Sequence, residues 1–492
     1  MKIEDIRALP GPNVWVHRPV LVMRLDLEEL TEKESFEIEG FNERLLAALP
    51  GLNEHHCAKG RPGGFVERLR DGTYFGHVVE HVTLELSQAA GVAVNFGKAR
   101  YAGAPGLYNV IVEYKAEQGM RFLLRTAVEL VSALVRGDSF PLAERVEEAK
   151  RVVRRTEFGP SARGVVDAAE ARGIPWARLD GGSLLQLGYG RHRRYIRATG
   201  ETGPGGVEVV SDEDLDASLL THRLPSESGP RDAGAAVVGA LFPEGSDGRV
   251  PVISVTGTNG RTNVTRMIEH ALAASGLCVG TATTDGIRVG GERIAGGDAD
   301  GPVPARIVLS DRSVELAVLE TTCDGIVRHG LGYDWSDIGV LTNVGPDDIE
   351  WEGVESVEDI VWIMSLVAER VREGGTLVLN ADDAHLARLA EAPRVHEPRR
   401  RIVYFSLDHT KPLLRGHTAA GGTGYFVRDG VVFEAEGGQE RGVVGVSDVA
   451  AARGGDAEFQ PANVLAATAA CRAYGLTREQ CAAAWRSFRD EV

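Results

Sequence analysis

Cysteine is scarce in this sequence. Five are spread over 492 residues, no two stand as C-x-x-C, and Cys57, Cys278, Cys323, Cys471 and Cys481 leave one over. That argues against a disulfide framework and fits a reducing, cytoplasmic compartment. Long apolar runs are also lacking: none approaches the roughly 18 residues of a membrane helix. The opening MKIEDIRALPGPN carries no signal-peptide core. The expectation is therefore an unexported chain without a membrane span. Positive charge is in deficit, with 54 Lys and Arg against 71 Asp and Glu, a net −17. Such a balance argues against nonspecific nucleic-acid binding and implies nothing about fold. Internal repeats and low-complexity tracts are missing too.

What is present is a chain of ordinary hydrophobic content, 43%, long enough for two to four domains. Residues 13 to 30 alternate and read as one or two strands, 42 to 49 as a short helix, and 107 to 114 as a strand. The stretch 75 to 90 has apolar residues every fourth position at Val78, Val82 and Leu86, which predicts a helix ended by Gly91. A second helix is expected over 120 to 136, closed by Gly137, and a charged one in ERVEEAKRVVRR. Strands and helices are mixed without a strict alternation, so the first domain, 1–160, is expected to be α+β. Residues 200 to 250 are rich in Gly, Pro, Ser and Asp and read as linker. From Pro251 apolar strands alternate with helices, one of them expected over 355 to 373. That predicts an α/β domain with a mostly parallel sheet. Short strands over 401 to 450 and two closing helices over 459 to 489 complete the reading.

Two patterns carry chemistry. In GHVVEHVTLEL, His77 and His81 stand one helical turn apart with Glu80 beside them. Two imidazoles so spaced can hold one zinc ion, and a neighbouring carboxylate can deprotonate its water. H-x-x-E-H is the inverted zinc-protease pattern. A third ligand is required, and Glu129 is the expectation; Glu85, a full turn beyond His81, is less well placed. The ordinary alternative is an amphipathic helix with Glu129 paired to Arg125 on a polar stripe. The second pattern is TGTNGRT, Thr256 to Thr262, where a strand, a glycine-rich turn and a helix N-terminus form a cradle for phosphate. Gly257, Thr258, Asn259, Gly260, Arg261 and Thr262 line it, with Thr262 placed to bind Mg²⁺. Arg261 stands where lysine is expected, and the two are not interchangeable in a tight loop. Nucleotide affinity with impaired catalysis is the reading. The ordinary alternative is a plain βα turn. Polar residues follow four strands of the same domain: Thr283 to Asp285, Glu320, Asn343 to Asp348, and Asn380 to Asp383. Ligands of open α/β sheets collect at such strand ends.

The blocks GGFVERLRDGTYFGHVVEHVTLEL, GPSARGVVDAAEARGIPWARLDGGSLLQLGYGRHRRYIRAT, VTGTNGRTNVTRMI, TNVGPDD, LVLNADD and FQPANVLAATAACRAYGL resemble the cyanophycin synthetase family. The resemblance implies an N-terminal domain (1–160), an ATP-grasp remnant with linker (161–250), and a Mur-ligase-like central domain (251–492). The bulk of the ATP-grasp domain and the closing Mur C-terminal domain have no counterpart in it. It further implies an amide ligase using ATP and Mg²⁺ on an Asp/Arg peptide or polymer. Gly257 to Thr262, Asn343, Asn380 and Asp382 are then the expected nucleotide residues, with Thr262 and Glu320 as metal ligands. Departures from the family pattern cluster at the phosphate and metal positions: Arg261, Asn263, Asp324 and Asp348. A degenerate ligase is expected. The alternatives are a zinc hydrolase of Asp/Arg peptides using Glu80, His77, His81 and Glu129, and a non-catalytic partner of polymer or of a full-length synthetase. A homo-oligomer is compatible with each.

Overall fold

The computed structural model of the protein describes all residues except 93, 181–182, 199–206, 211–229, 298, 300, 349–353, 398, 451–459 and 490–492. The chain divides into two compact units, Met1–Phe158 and Gly159–Val492.

The first unit is α+β. Strands β1 (Lys2–Leu9), β2 (Val20–Asp26), β3 (Gly97–Tyr101) and β4 (Leu107–Glu113) form an antiparallel sheet in the order β1-β2-β4-β3. The alternation of VLVMRLD in β2 sorts its side chains onto two faces. Leu21, Met23 and Leu25 join the main core, while Val20 and Val22 meet Leu9 and Ile111 on the other side. The main core is closed by α1 (Phe41–Ala48), α2 (Gly64–Asp71), α3 (Phe75–Ala89) and α4 (Glu117–Arg136), followed by α5 (Leu142–Thr156). Val78, Val82 and Leu86 of α3 are all fully buried, so the four-residue spacing marks its core face. Gly137, at φ 77°, ends α4 in a left-handed cap. Of residues 13 to 30 only Val20–Asp26 is a strand, whereas β1 and β3 carry too many charged, exposed residues to announce themselves.

The second unit begins with α6 (Pro160–Ala171) and a small antiparallel sheet of β5 (Trp176–Arg178), β6 (Leu184–Leu187), β7 (Arg194–Ala198) and β8 (Val207–Val210). Helix α7 (Pro230–Leu241) follows. The linker expectation for 200 to 250 is thereby corrected where residues are described: β8 extends the small sheet, and α7 lies against α6. A Cβ at Gly234 would stand 2.1 Å from the Gly164 carbonyl, so small residues let the two helices touch. The rest of that expectation lies outside the described residues.

The larger sheet has eleven strands: β9 (Val252–Thr256), β10 (Val279–Thr283), β11 (Gly286–Val289), β12 (Glu292–Gly296), β13 (Leu316–Glu320), β14 (Ser336–Leu341), β15 (Val371–Asn380), β16 (Arg401–Ser406), β17 (Thr423–Arg428), β18 (Val431–Glu436) and β19 (Gln439–Gly445). Their order is β12-β11-β10-β13-β9-β14-β15-β16-β17-β18-β19, parallel from β10 to β17 and antiparallel at both margins. Helices α8 (Arg261–Ala274), α9 (Pro302–Ser310), α10 (Cys323–His329) and α11 (Val357–Glu369) connect its strands. The helix expected over 355 to 373 stops at Glu369, because Val371 already opens β15. Pro461–Tyr474 and Arg478–Ser487 close the fold. Central strand β9 pairs with β13 on one side and β14 on the other. The strand order reverses there, and it is at the carboxyl ends of strands beside such a reversal that open α/β sheets bind their ligands. Among the described residues no helix is long and apolar enough to cross a membrane.

Candidate functional site

In the first unit, α3 presents His77 and His81 with ring centroids 4.7 Å apart. Each ring is held from both sides. His77 shares hydrogen bonds with Thr73 Oγ1 (2.9 Å) through Nδ1 and with Cys57 Sγ (3.3 Å) through Nε2. His81 Nδ1 meets His55 Nδ1 at 2.9 Å, and His55 Nε2 meets Glu85 Oε2 at 3.1 Å. The Phe65 ring stacks on His81 at 4.0 Å. Burial, helped by Arg68, holds His77 down to about 4; burial, with His77 and His55 beside it, holds His81 down to about 2. Both imidazoles are therefore neutral near pH 7, the form that binds metal. Cys57 reaches this place with φ at 53°, a left-handed backbone unusual outside glycine. Its sulfur and the two imidazoles bring three ligand atoms within 4.8 Å of one another.

The two carboxylates expected beside the histidines are elsewhere. Glu129 is exposed on α4, its Oε2 2.7 Å from Arg145 Nη2, and neither joins the histidines nor pairs with Arg125. Glu80 is buried but bonds to the Ala99 backbone, and a Cβ at Gly97 would stand 2.9 Å from its Cγ. The physical reason is helical geometry: Glu80 lies about 100° around the helix from His81, which turns it toward β3. Burial pushes its carboxyl up to about 7, against the opposing pull of the Ala99 backbone bond, Arg100 and Lys98. His55, Cys57 and Thr73 were missed from sequence. The triplet His55-His56-Cys57 was the available signal.

In the second unit, the loop between β9 and α8 sits at the strand-order reversal. Gly257, at φ 150°, lies so close to β14 that a Cβ would stand 1.9 Å from Thr342 Oγ1. At Gly260, with φ 79°, a Cβ would stand 2.4 Å from Asn463 Oδ1. Asn343 pins the loop: its Oδ1 accepts from Asn259 N (2.8 Å), and its Nδ2 donates to Asn259 O (2.9 Å). The first N–H groups of α8 have no intrahelical acceptor and point out of the helix end. Asn380 Nδ2 donates to Thr342 O (2.8 Å). Asp382 turns away from the loop to accept from Ser406 Oγ (2.5 Å) and Leu407 N (2.6 Å).

Arg261 does not extend from the loop. Its Nε donates to Glu320 Oε1 (3.0 Å), and its Nη1 donates to the carbonyls of Gly257 (2.8 Å) and Thr258 (2.7 Å). The Glu320 side chain is fully buried. Its Oε1 also accepts from Thr262 Oγ1 (3.0 Å) and its Oε2 from Thr284 N (3.2 Å). Thr262 and Glu320 thus meet as expected of metal ligands, but with a guanidinium between them and the loop. Mg²⁺ demands nearly octahedral oxygen ligands at short range. A carboxylate already committed to a fixed cation and two further donors does not fit that ion.

Residues 22–136 match the family described as cyanophycin synthase-like N-terminal domain, and residues 255–471 match the Mur ligase middle domain. The cyanophycin synthetase of Nostoc sp. is 28% identical, aligned over 100% of this chain and 80% of its own length. That of Synechocystis sp. is 27% identical, over 99% and 83%. The first of these alignments runs over 728 positions against 492 residues here, so it spans long gaps in this chain. The UDP-N-acetylmuramoylalanine–D-glutamate ligase of Symbiobacterium thermophilum is 30% identical over 55% of this chain and 51% of its own. A solved UDP-N-acetylmuramoyl-L-alanyl-D-glutamate–2,6-diaminopimelate ligase covers 49% of this chain and 46% of its own, with 16% identity and a TM-score of 0.37. With both domains matched and the chain aligned from end to end with the synthetases, this protein joins a cyanophycin synthase-like N-terminal domain to a Mur ligase middle domain and is similar to the cyanophycin synthetases throughout.

Proposed function

We propose that this chain is a nucleotide-binding homologue of the Mur-type amide ligases whose ATP-driven cycle is impaired. The observation that carries the reading is the Arg261–Glu320 pair inside an otherwise well-formed phosphate loop. The loop keeps its glycines, its asparagine clamp and its place at the strand-order reversal, which supports nucleotide affinity. It commits to an internal ion pair the acidic group that a phosphoryl-transfer metal would use, which supports lost turnover. Its second ligand is an Asp/Arg peptide or polymer, by family, and its assembly is a homo-oligomer or a complex with a full-length synthetase. Calorimetry with millimolar ATP, followed by phosphate release with aspartate- and arginine-containing peptides, tests it. Binding without release above background is expected. Sustained peptide-dependent release refutes the impaired cycle, and absence of binding leaves a partner of polymer or synthetase without a nucleotide role.

A second reading rests on the convergence of Cys57, His77 and His81: zinc held in the first unit, with Cys57 in the place expected of Glu129. Neutral imidazoles and a thiol suit that ion. Three such ligands leave a fourth position, where bound zinc polarises water or a carbonyl. His55, bonded to both His81 and Glu85, would orient the His81 ring. Because Glu80 faces β3, the reading is metal binding rather than hydrolysis. Metal analysis of protein purified without chelator tests it. Near one zinc per chain is expected, falling sharply in Cys57→Ser. Cleavage of a β-Asp-Arg peptide that disappears in Glu80→Gln would instead restore the hydrolase.

A further inference from the structure

Resting on the nucleotide-binding reading above, we infer that Arg261 is a built-in counter-ion that takes the place of the divalent metal, so that the loop binds nucleotide di- and triphosphates without Mg²⁺.

The donor inventory of Arg261 carries this. A guanidinium has five N–H groups in a fixed fork. Nε is spent on Glu320, and Nη1 on the carbonyls of Gly257 and Thr258. Among the described residues Nη2 has no partner, and the side chain keeps 20% of its surface exposed. The guanidinium is thus anchored through Nε and Nη1, and Nη2 is left free. Arg261 is the first residue of α8, directly after the Gly260 cap, so the free Nη2 and the first N–H groups of α8 belong to the same helix end. Charge-assisted N–H donors such as those of Nη2 bind phosphate oxygens strongly. Glu320, meanwhile, is held by Arg261, Thr262 and Thr284 and has no role left as a metal ligand.

Charge decides the sign. Arg261 is partly exposed while its partner Glu320 is fully buried, so the charge nearer the ligand is positive and suits the more highly charged, metal-free nucleotide. Mg²⁺ would bring a second cation against Arg261, and it would also neutralise part of the ligand. The site therefore gains nothing from the ion. Lysine at the same position would not reproduce this. Its ammonium is a compact point charge without a fork, and it cannot hold Glu320 and two carbonyls in one plane. Arg261→Lys would release Glu320 and Thr262 to act on a metal.

The experiment is calorimetric titration of the full chain with ADP and with ATP, once in Mg²⁺ and once in EDTA, on wild type and Arg261→Lys. Thermal melts establish that the variant is folded. In wild type, Mg²⁺ is expected to improve affinity by less than about tenfold, or to weaken it. In Arg261→Lys, affinity in EDTA is expected to fall and Mg²⁺ to restore it. A gain above about tenfold from Mg²⁺ in wild type overturns the inference while leaving nucleotide binding intact. An Arg261→Lys variant indistinguishable from wild type in both buffers overturns the role of Arg261. Absence of binding in either buffer overturns the inference together with the reading on which it rests. Should the variant not fold, the wild-type comparison of the two buffers alone decides.

Discussion

Arg261→Met isolates what the loop ion pair contributes to the fold. The change removes the Arg261 guanidinium from the fully buried Glu320 carboxylate. Removing one partner of a buried pair costs about 3–5 kcal/mol, because the other charge stays desolvated. Here the low end, about 3 kcal/mol, is expected, since Thr262 Oγ1 and Thr284 N still donate to the carboxylate. Adding Glu320→Gln removes the stranded charge yet keeps an acceptor for one of those donors. The double variant should regain more than half of the loss, so the coupling amounts to at least about 1.5 kcal/mol plus the cost of Glu320→Gln alone. Urea unfolding of the four proteins without nucleotide measures it, following the transition of the second unit so that the first does not blur the fit. Nucleotide must be absent, since any bound ligand would add its own stabilisation. A coupling below about 0.5 kcal/mol would show the two side chains to be independent and would refute the internal pair.

Three further outcomes follow from the packing. Gly257→Ala places a methyl 1.9 Å from Thr342 Oγ1 at a φ of 150°, so it should abolish nucleotide binding and lower the melting temperature; calorimetry and a thermal scan check it. Trp485 is fully buried and donates to Thr468 Oγ1 at 3.0 Å, so Trp485→Ala should cost about 3–5 kcal/mol in urea unfolding, and Thr468→Val about 1. For Glu434, burial raises the carboxyl, but Arg472, Tyr425 and Arg478 outweigh it and the net shift is downward from 4.5. A depressed carboxylate stabilises the fold above its unfolded value and loses that contribution as pH falls through the folded one. Stability of wild type should therefore decline below pH 4.5 more steeply than that of Glu434→Gln; urea midpoints across that range test it.

Helix α3 was legible because periodicity is a local property: Val78, Val82 and Leu86 announce one face at any reading. The strands β9, β13 and β14 were legible for a similar reason, as short apolar runs buried on both sides. β1 and the helix α7 were not. KIEDIRAL is half-exposed and charged, and α7 lies in a stretch punctuated by Gly and Pro whose packing against α6 is a tertiary contact that no local pattern announces. Family matches over 22–136 and 255–471 confirm the resemblance that whole motifs carried.

The sites divide along the same line. From sequence alone came the spacing of His77 and His81, the glycines at 257 and 260, and the arginine at 261 in place of lysine, because each is a property of neighbouring residues. Tertiary structure alone decided which partners they take. Cys57 reaches His77 from a separate turn of the chain, His55 bridges Glu85 and His81, and Glu129 leaves for Arg145. Glu320 lies 59 residues from Arg261 and meets it only because β13 and β9 pair in parallel and end side by side. Spacing along the chain fixes which side chains share one helix face; only packing fixes which distant charge each one answers.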